Sequence, residues 1–166
     1  SNQYETIKKF EAMATGRIWI AGSKSLYYMD DTLALTKDAT AGSPVLNSVI
    51  GSMANDILRF NLPTGEILCS VNWTNTLYYY NTVNWATVTL DLNYAEILCE
   101  FEDKRCMAVG GSNNVQLVDS TMTKSTLLTL PPFSRVMSMA WNNNRLYIAT
   151  ANLYGNDGFI FEWDGN

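Results

Sequence analysis

A chain of 166 residues with 47% hydrophobic and only 16% charged residues can bury a sizeable core as one domain and is too apolar to be disordered. Eleven basic against sixteen acidic residues leave a net charge of −5 and no basic stripe, which argues against direct nucleic-acid binding through phosphates. No apolar run approaches the roughly 20 residues that span a bilayer as a helix, so no membrane contact is expected. The N-terminus carries no signal-peptide-like apolar core and also lacks an initiator Met, which leaves processing or truncation open.

Histidine is absent. Ser-His and Cys-His nucleophile pairs, His-ligated zinc and imidazole acid–base catalysis are thereby removed. The cysteines Cys69, Cys99 and Cys106 are odd in number, and each sits inside an apolar run. They read as small core hydrophobes rather than as a disulfide framework. No Gly-rich loop precedes a helix, so no phosphate cradle is present, and Gly110-Gly111 reads as a hairpin turn. The chain is therefore expected to be non-enzymatic and to need no cofactor.

Taken in order, the chain repeats itself. Apolar runs begin at Arg17, Glu66, Arg105 and Arg145, spaced by 49, 39 and 40 residues. Each is preceded by another apolar run: Ile7–Met13, Ile57–Leu62, Ile97–Phe101 and Val136–Trp141. Each leads through a Gly, Ser, Asn or Thr-rich turn to a third: Leu26–Met29, Leu77–Tyr80, Val115–Val118 and Phe159–Trp163. A fourth run, Thr32–Thr36, Trp85–Leu92 and Ser125–Leu130, follows in three of the four copies. Short apolar, β-branched and aromatic runs between turn clusters predict antiparallel strands. The second run of most copies is apolar on both faces, as in Ile18, Trp19, Ile20 and Ala21, so each sheet should be covered on both sides.

Four strands per copy at a period of about 40 predict an all-β, β-propeller-like fold of about four blades, the last incomplete. The approximate blades are 7–36, 57–92, 97–130 and 136–166, with an insertion at 37–56. A β-sandwich is the alternative, since evenly spaced short strands suit it too. The third run of each copy ends on an acid or amide: Asp30, Asn81, Asp119 and Asp164. With Trp163-Asp164, Val118-Asp119 and Met29-Asp30 the chain resembles the WD-repeat and related propeller families, although Tyr80-Asn81 departs from the pattern and the Gly-His element of WD repeats is missing. The low-charge blades rich in Asn, Thr and Tyr, closing on LYIAT and GFIFEWDG, also resemble propeller domains of bacteriophage tail proteins, the nozzle or tail-hub components. That resemblance implies a structural scaffold for protein contacts in an oligomeric assembly located in the virion; a propeller outside that group would be cytoplasmic.

Within the insertion, Ser43-Pro44 ahead of Val45, Leu46, Val49, Ile50 and Met53 predicts a short helical or irregular segment. The fourth copy has no fourth run, and an unpaired edge strand invites association. The expectation is a part of a larger ring, completed by other protein chains or by the missing remainder of the same chain. A compact ring closed by Asn2–Glu5 is the alternative.

The candidate contact residues are Trp73 and Tyr154, large aromatics in predicted turns, with Asn156 and Asp157 beside the second. Such side chains can anchor a protein interface or stack on sugar rings, so recognition of a glycan or receptor is the second functional reading. Asn156-Asp157-Gly158 offers oxygens to calcium, but such a site needs six or more ligands and no EF-hand-like spacing is present, so this triplet and Asp30-Asp31 read as turn chemistry. Asn72-Trp73-Thr74 matches a glycosylation acceptor by composition alone.

Overall fold

Each apolar run overlaps one antiparallel strand, and each copy becomes one sheet; of the run Thr32–Thr36 only Leu35 and Thr36 are strand, because Thr32 and Leu33 belong to the preceding turn. The structure is a computed structural model and describes residues 6–23, 25–40, 54–101 and 106–165. The first sheet has the order β1 (Ile7–Ala12), β2 (Ile18–Gly22), β3 (Leu26–Met29) and β4 (Leu35–Lys37). The second is β5 (Asp56–Leu62), β6 (Gly65–Val71), β7 (Thr76–Tyr80) and β8 (Trp85–Thr89). The third is β9 (Ala95–Glu100), β10 (Cys106–Gly111), β11 (Asn114–Asp119) and β12 (Lys124–Thr129). The fourth has three strands, β13 (Ser134–Asn142), β14 (Arg145–Asn152) and β15 (Gly158–Trp163). Four separate meanders, rather than two facing sheets, make the fold propeller-like. Most of the expected insertion, residues 41–53 with Ser43 and Pro44, lies outside the described residues, as do Asn2–Glu5 and the turn at 102–105.

The sheets pack face to face in chain order. Trp19, Ala21 and Leu26 of the first meet Ile57, Leu68, Tyr78 and Trp85 of the second. Phe60, Ile67, Cys69, Val71 and Leu77 meet Leu98, Met107, Val109 and Val118 of the third. Ala108, Val115, Leu117 and Phe101 meet Val136, Leu146 and Ile148 of the fourth. The consecutive tyrosines show why both faces must be apolar. Tyr78 and Tyr80 point into the first seam and Tyr79 into the second, because successive strand residues face opposite ways.

Among the described residues no apolar cluster joins the fourth sheet to the first. Contacts between innermost strands run from β1 to β5, from β5 to β9 and from β9 to β13. The outer face of the first sheet therefore exposes Phe10 (61%) and Leu35 (60%), and that of the fourth exposes Ile160 (77%).

The acid or amide that ends the third strand of a sheet caps the following turn. Asp30 accepts from the Thr32 amide at 3.1 Å and its hydroxyl at 2.6 Å. Asp119 accepts from the Thr121 amide and hydroxyl at 2.8 and 2.7 Å and from the Thr123 amide at 3.0 Å. Asn81 does the same for the amides of Val83 and Asn84. The Thr32 hydroxyl and amide hold the Asp30 carboxyl below its ordinary range. Burial pushes Asp119 up, but the Thr121 hydroxyl and the amides of Thr123 and Thr121 outweigh it and hold this carboxyl low as well. A group with a depressed folded pKa contributes stability that is complete above its unfolded value, about 3.9 for Asp, and lost as pH falls through the folded value. Carbon-detected NMR titration should place both carboxyls below the ordinary Asp range; midpoints at or above it would refute the capping account.

Gly110-Gly111 is a correction to the sequence reading. Both residues lie in β10, not in a turn. A Cβ on Gly110 would lie 2.8 Å from Val136 Cγ1, so glycine here lets the fourth sheet close on the third. The turn that follows is made by Asn113, with φ of 60°. All three cysteines are free, and burial pushes the Cys69 thiol far up, which keeps it protonated and inert.

Candidate functional site

In a four-stranded meander the second-to-third turns and the links between sheets fall at the same end. That end carries a cleft of about 430 Å³ lined by Trp73, Tyr94, Glu96, Ser112, Arg135 and Leu153. The lining comes from the second, third and fourth sheets, so no single repeat could form it. Trp73 lies in the β6–β7 turn, 37% exposed, with φ of 61°. A bulky residue in the left-handed region costs roughly 1 kcal/mol or more. The turn is held by Trp73 N–H donating to the Ala95 carbonyl at 3.0 Å and Ala95 N–H to the Thr74 carbonyl at 2.7 Å. Tyr94 is placed by Gly111, where a Cβ would come within 1.7 Å of the Tyr94 carbonyl oxygen. Only glycine admits that approach.

The two charged groups come from the innermost strands β9 and β13. Glu96 is the extra residue of a β-bulge, since Ile97 pairs with Gly110 and Ala95 with Gly111. Bulges re-aim a side chain out of the alternating pattern. Arg135 Nε donates to Glu96 Oε2 at 2.8 Å, and its guanidinium carbon lies 5.5 Å from the centroid of the Trp73 ring, within cation–π range. Lys8 is the corresponding extra residue of β1 and donates to Asn55 Oδ1 at 2.6 Å. Burial lowers its pKa, while Glu96 and Asp56 pull it the other way.

Of the four residues singled out from sequence, Trp73 lines this cleft. Tyr154 is 82% exposed and stands outside the lining, edge-on to Phe133 with ring centroids 5.0 Å apart. Its neighbour Leu153 reaches the cleft. Asn156 and Asp157 are exposed in the same turn, where the Asp157 carbonyl accepts from Asn152 N–H at 2.9 Å; neither lines the cleft. Sequence reasoning missed Tyr94, Glu96, Ser112 and Arg135. Asn72 is buried (4%) and its Oδ1 accepts from the Thr74 hydroxyl at 2.9 Å, so the folded chain does not offer it as a glycosylation acceptor.

A second cavity, about 330 Å³, opens at the opposite end between the first two sheets. Its polar groups serve each other. Glu66 accepts from Ala14 N–H at 2.6 Å and pairs with Arg59 at 3.3 Å, Arg17 stacks on Tyr28 at 4.3 Å, and Asp30 caps its own turn. Among the described residues no group of three or more His, Cys, Asp or Glu could hold a metal ion, and no helix is long and apolar enough to cross a membrane.

No protein-family model matches the chain, and no curated protein matches it. Solved structures share its fold. The extracellular domain of a one component system from B. thetaiotaomicron aligns over 97% of this chain and 21% of its own, with a TM-score of 0.72 and 15% identity. Virginiamycin B lyase from Staphylococcus aureus aligns over 95% of this chain and 55% of its own, with a TM-score of 0.66 and 13% identity. A catalytically inactive variant of that lyase, a histidine replaced by alanine, with quinupristin, aligns equally well at 12% identity. The chain thus spans about a fifth of the extracellular domain and about half of the lyase. At such identities the likeness is one of fold.

Proposed function

We propose that this chain is a non-catalytic scaffold whose two outer sheet faces take up further sheets of the same kind. The observation that carries this reading is the pair of apolar faces at the ends of the row. Three seams bury such faces against each other, while Phe10, Leu35 and Ile160 stay in water. Edge strand β15, with the sequence GFIFEW, has no neighbour on its outer side among the described residues, although every other sheet has a fourth strand there. The occupants are other protein chains or the remainder of a longer chain. Non-catalytic action is supported by the lack of histidine, the residue whose loss inactivates the lyase neighbour. A place in a phage tail, and thus in the virion, is the finer form of the proposal and is supported by the resemblance of the blades in sequence.

Sedimentation of these 166 residues is expected to give masses above the 18.6 kDa of one chain, as open faces cover each other. The double variant Phe10→Asp, Ile160→Asp should return to monomer mass. A stable, soluble monomer of the unmodified chain would overturn the reading.

A further inference from the structure

The cleft of Trp73, Tyr94, Glu96, Ser112, Arg135 and Leu153 is independent of the outer faces and has its own chemistry. Its walls are largely aromatic or aliphatic, yet a matched ion pair stands in it. Arg135 and Glu96 pair at 2.8 Å, so the residues lining the cleft carry no net charge among themselves. Among the described residues the Arg135 guanidinium makes its one hydrogen bond through Nε, which leaves N–H donors of the fork for a ligand. A carboxylate accepts about four hydrogen bonds, so Glu96 keeps acceptor capacity beside those donors. Ser112 adds a hydroxyl that can do either.

Three ligand classes can be weighed against this arrangement. A carboxylate ligand would compete with Glu96 for Arg135, in a protein that already carries −5. A purely apolar side chain would bury the ion pair and Ser112 without replacing the hydrogen bonds of water, a cost of roughly 1–3 kcal/mol per group left unpaired. A polyhydroxylated ring meets neither objection. Its hydroxyls both donate and accept, matching the adjacent guanidinium and carboxylate. Its C–H faces carry partial positive charge and suit the negative π-faces of Trp73 and Tyr94. The backbone agrees. Trp73, which lines the cleft, is held in a left-handed conformation, and Gly111 admits the close approach of the Tyr94 backbone.

We propose that this cleft binds a neutral saccharide, a pyranose ring stacked on Trp73 or Tyr94 with its hydroxyls on Arg135, Glu96 and Ser112. The test is an array of neutral and acidic glycans probed with the full chain, followed by calorimetric titration of the best neutral oligosaccharide. Saturable binding is expected, quenching or shifting tryptophan fluorescence. Trp73→Ala should weaken it roughly tenfold or more. Affinity should be nearly unchanged between about 0.05 and 0.5 M salt, because no charge is exchanged. Arg135→Lys, which keeps the charge but not the planar fork, should weaken binding while circular dichroism and the melting temperature stay near those of the parent. Binding to no neutral glycan, binding confined to acidic glycans, or binding indifferent to Trp73→Ala would each overturn the proposal.

Discussion

Replacing Trp19 by alanine is expected to remove about 3–5 kcal/mol of stability, the largest single effect on the core. Trp19 is 1% exposed and sits in the seam between the first and second sheets. Its ring is 5.2 Å from Tyr28, 5.4 Å from Tyr80 and 5.9 Å from Trp85, measured between centroids. Two of these partners belong to the neighbouring sheet, so the substitution empties the seam itself. The void cannot collapse easily, since Trp85 is also fixed by Nε1 donating to Asp38 Oδ2 at 2.9 Å. Urea unfolding should show a lowered midpoint. A change below about 1 kcal/mol would mean that this seam contributes little to cohesion.

Asp56→Ala is expected to cost a similar amount, for a different reason. The carboxylate is nearly buried, and its Oδ1 accepts from the Ile57 amide at 2.8 Å and from Lys9 Nζ at 2.9 Å. Its Oδ2 accepts from the Leu98 amide at 2.8 Å. One side chain thus joins β1, β5 and β9. Lys9 is about a third exposed, so water can replace its ion pair, and Lys9→Ala should cost under about 1 kcal/mol. The amides of Ile57 and Leu98 have no such recourse. Losing a charged acceptor leaves two buried donors at roughly 1–3 kcal/mol each, which brings Asp56→Ala to about 3–5 kcal/mol. If Lys9→Ala and Asp56→Ala cost the same in parallel unfolding experiments, the ion pair rather than the amides would be the main contribution.

Asp56 and Glu96 also show where sequence reasoning stopped. Each is an acid lying one residue ahead of an expected strand, and neither could be separated from an ordinary surface carboxylate by composition. A signal was nevertheless present in the spacing. Lys9 and Asp56 are 47 residues apart, as are Asp38 and Trp85 and also Arg59 and Ala12. Arg135 and Glu96 are 39 apart. These separations approximate the repeat lengths, so partners one repeat apart occupy matching places in adjacent sheets. The bulge that turns Glu96 toward Arg135 left no comparable mark, because the residues around it read as ordinary strand.

The sequence by itself determined the strands, their grouping into four meanders and the two-sided burial of the second and third sheets; the outer faces of the first and fourth stay open. These follow from local alternation and turn chemistry, which act over a few residues. It also placed Trp73 and Tyr154 in turns, because large aromatics between turn residues have no strand to pack in. What only the tertiary structure decided is which turns meet. The cleft draws on three sheets, and its ion pair depends on one bulge and on the third and fourth sheets lying side by side. The strand role of Gly110 and Gly111 was likewise hidden, since their need for glycine comes from Val136 and from the Tyr94 carbonyl, distant in sequence. Local patterns specify blades; the approach of one blade to another creates the site.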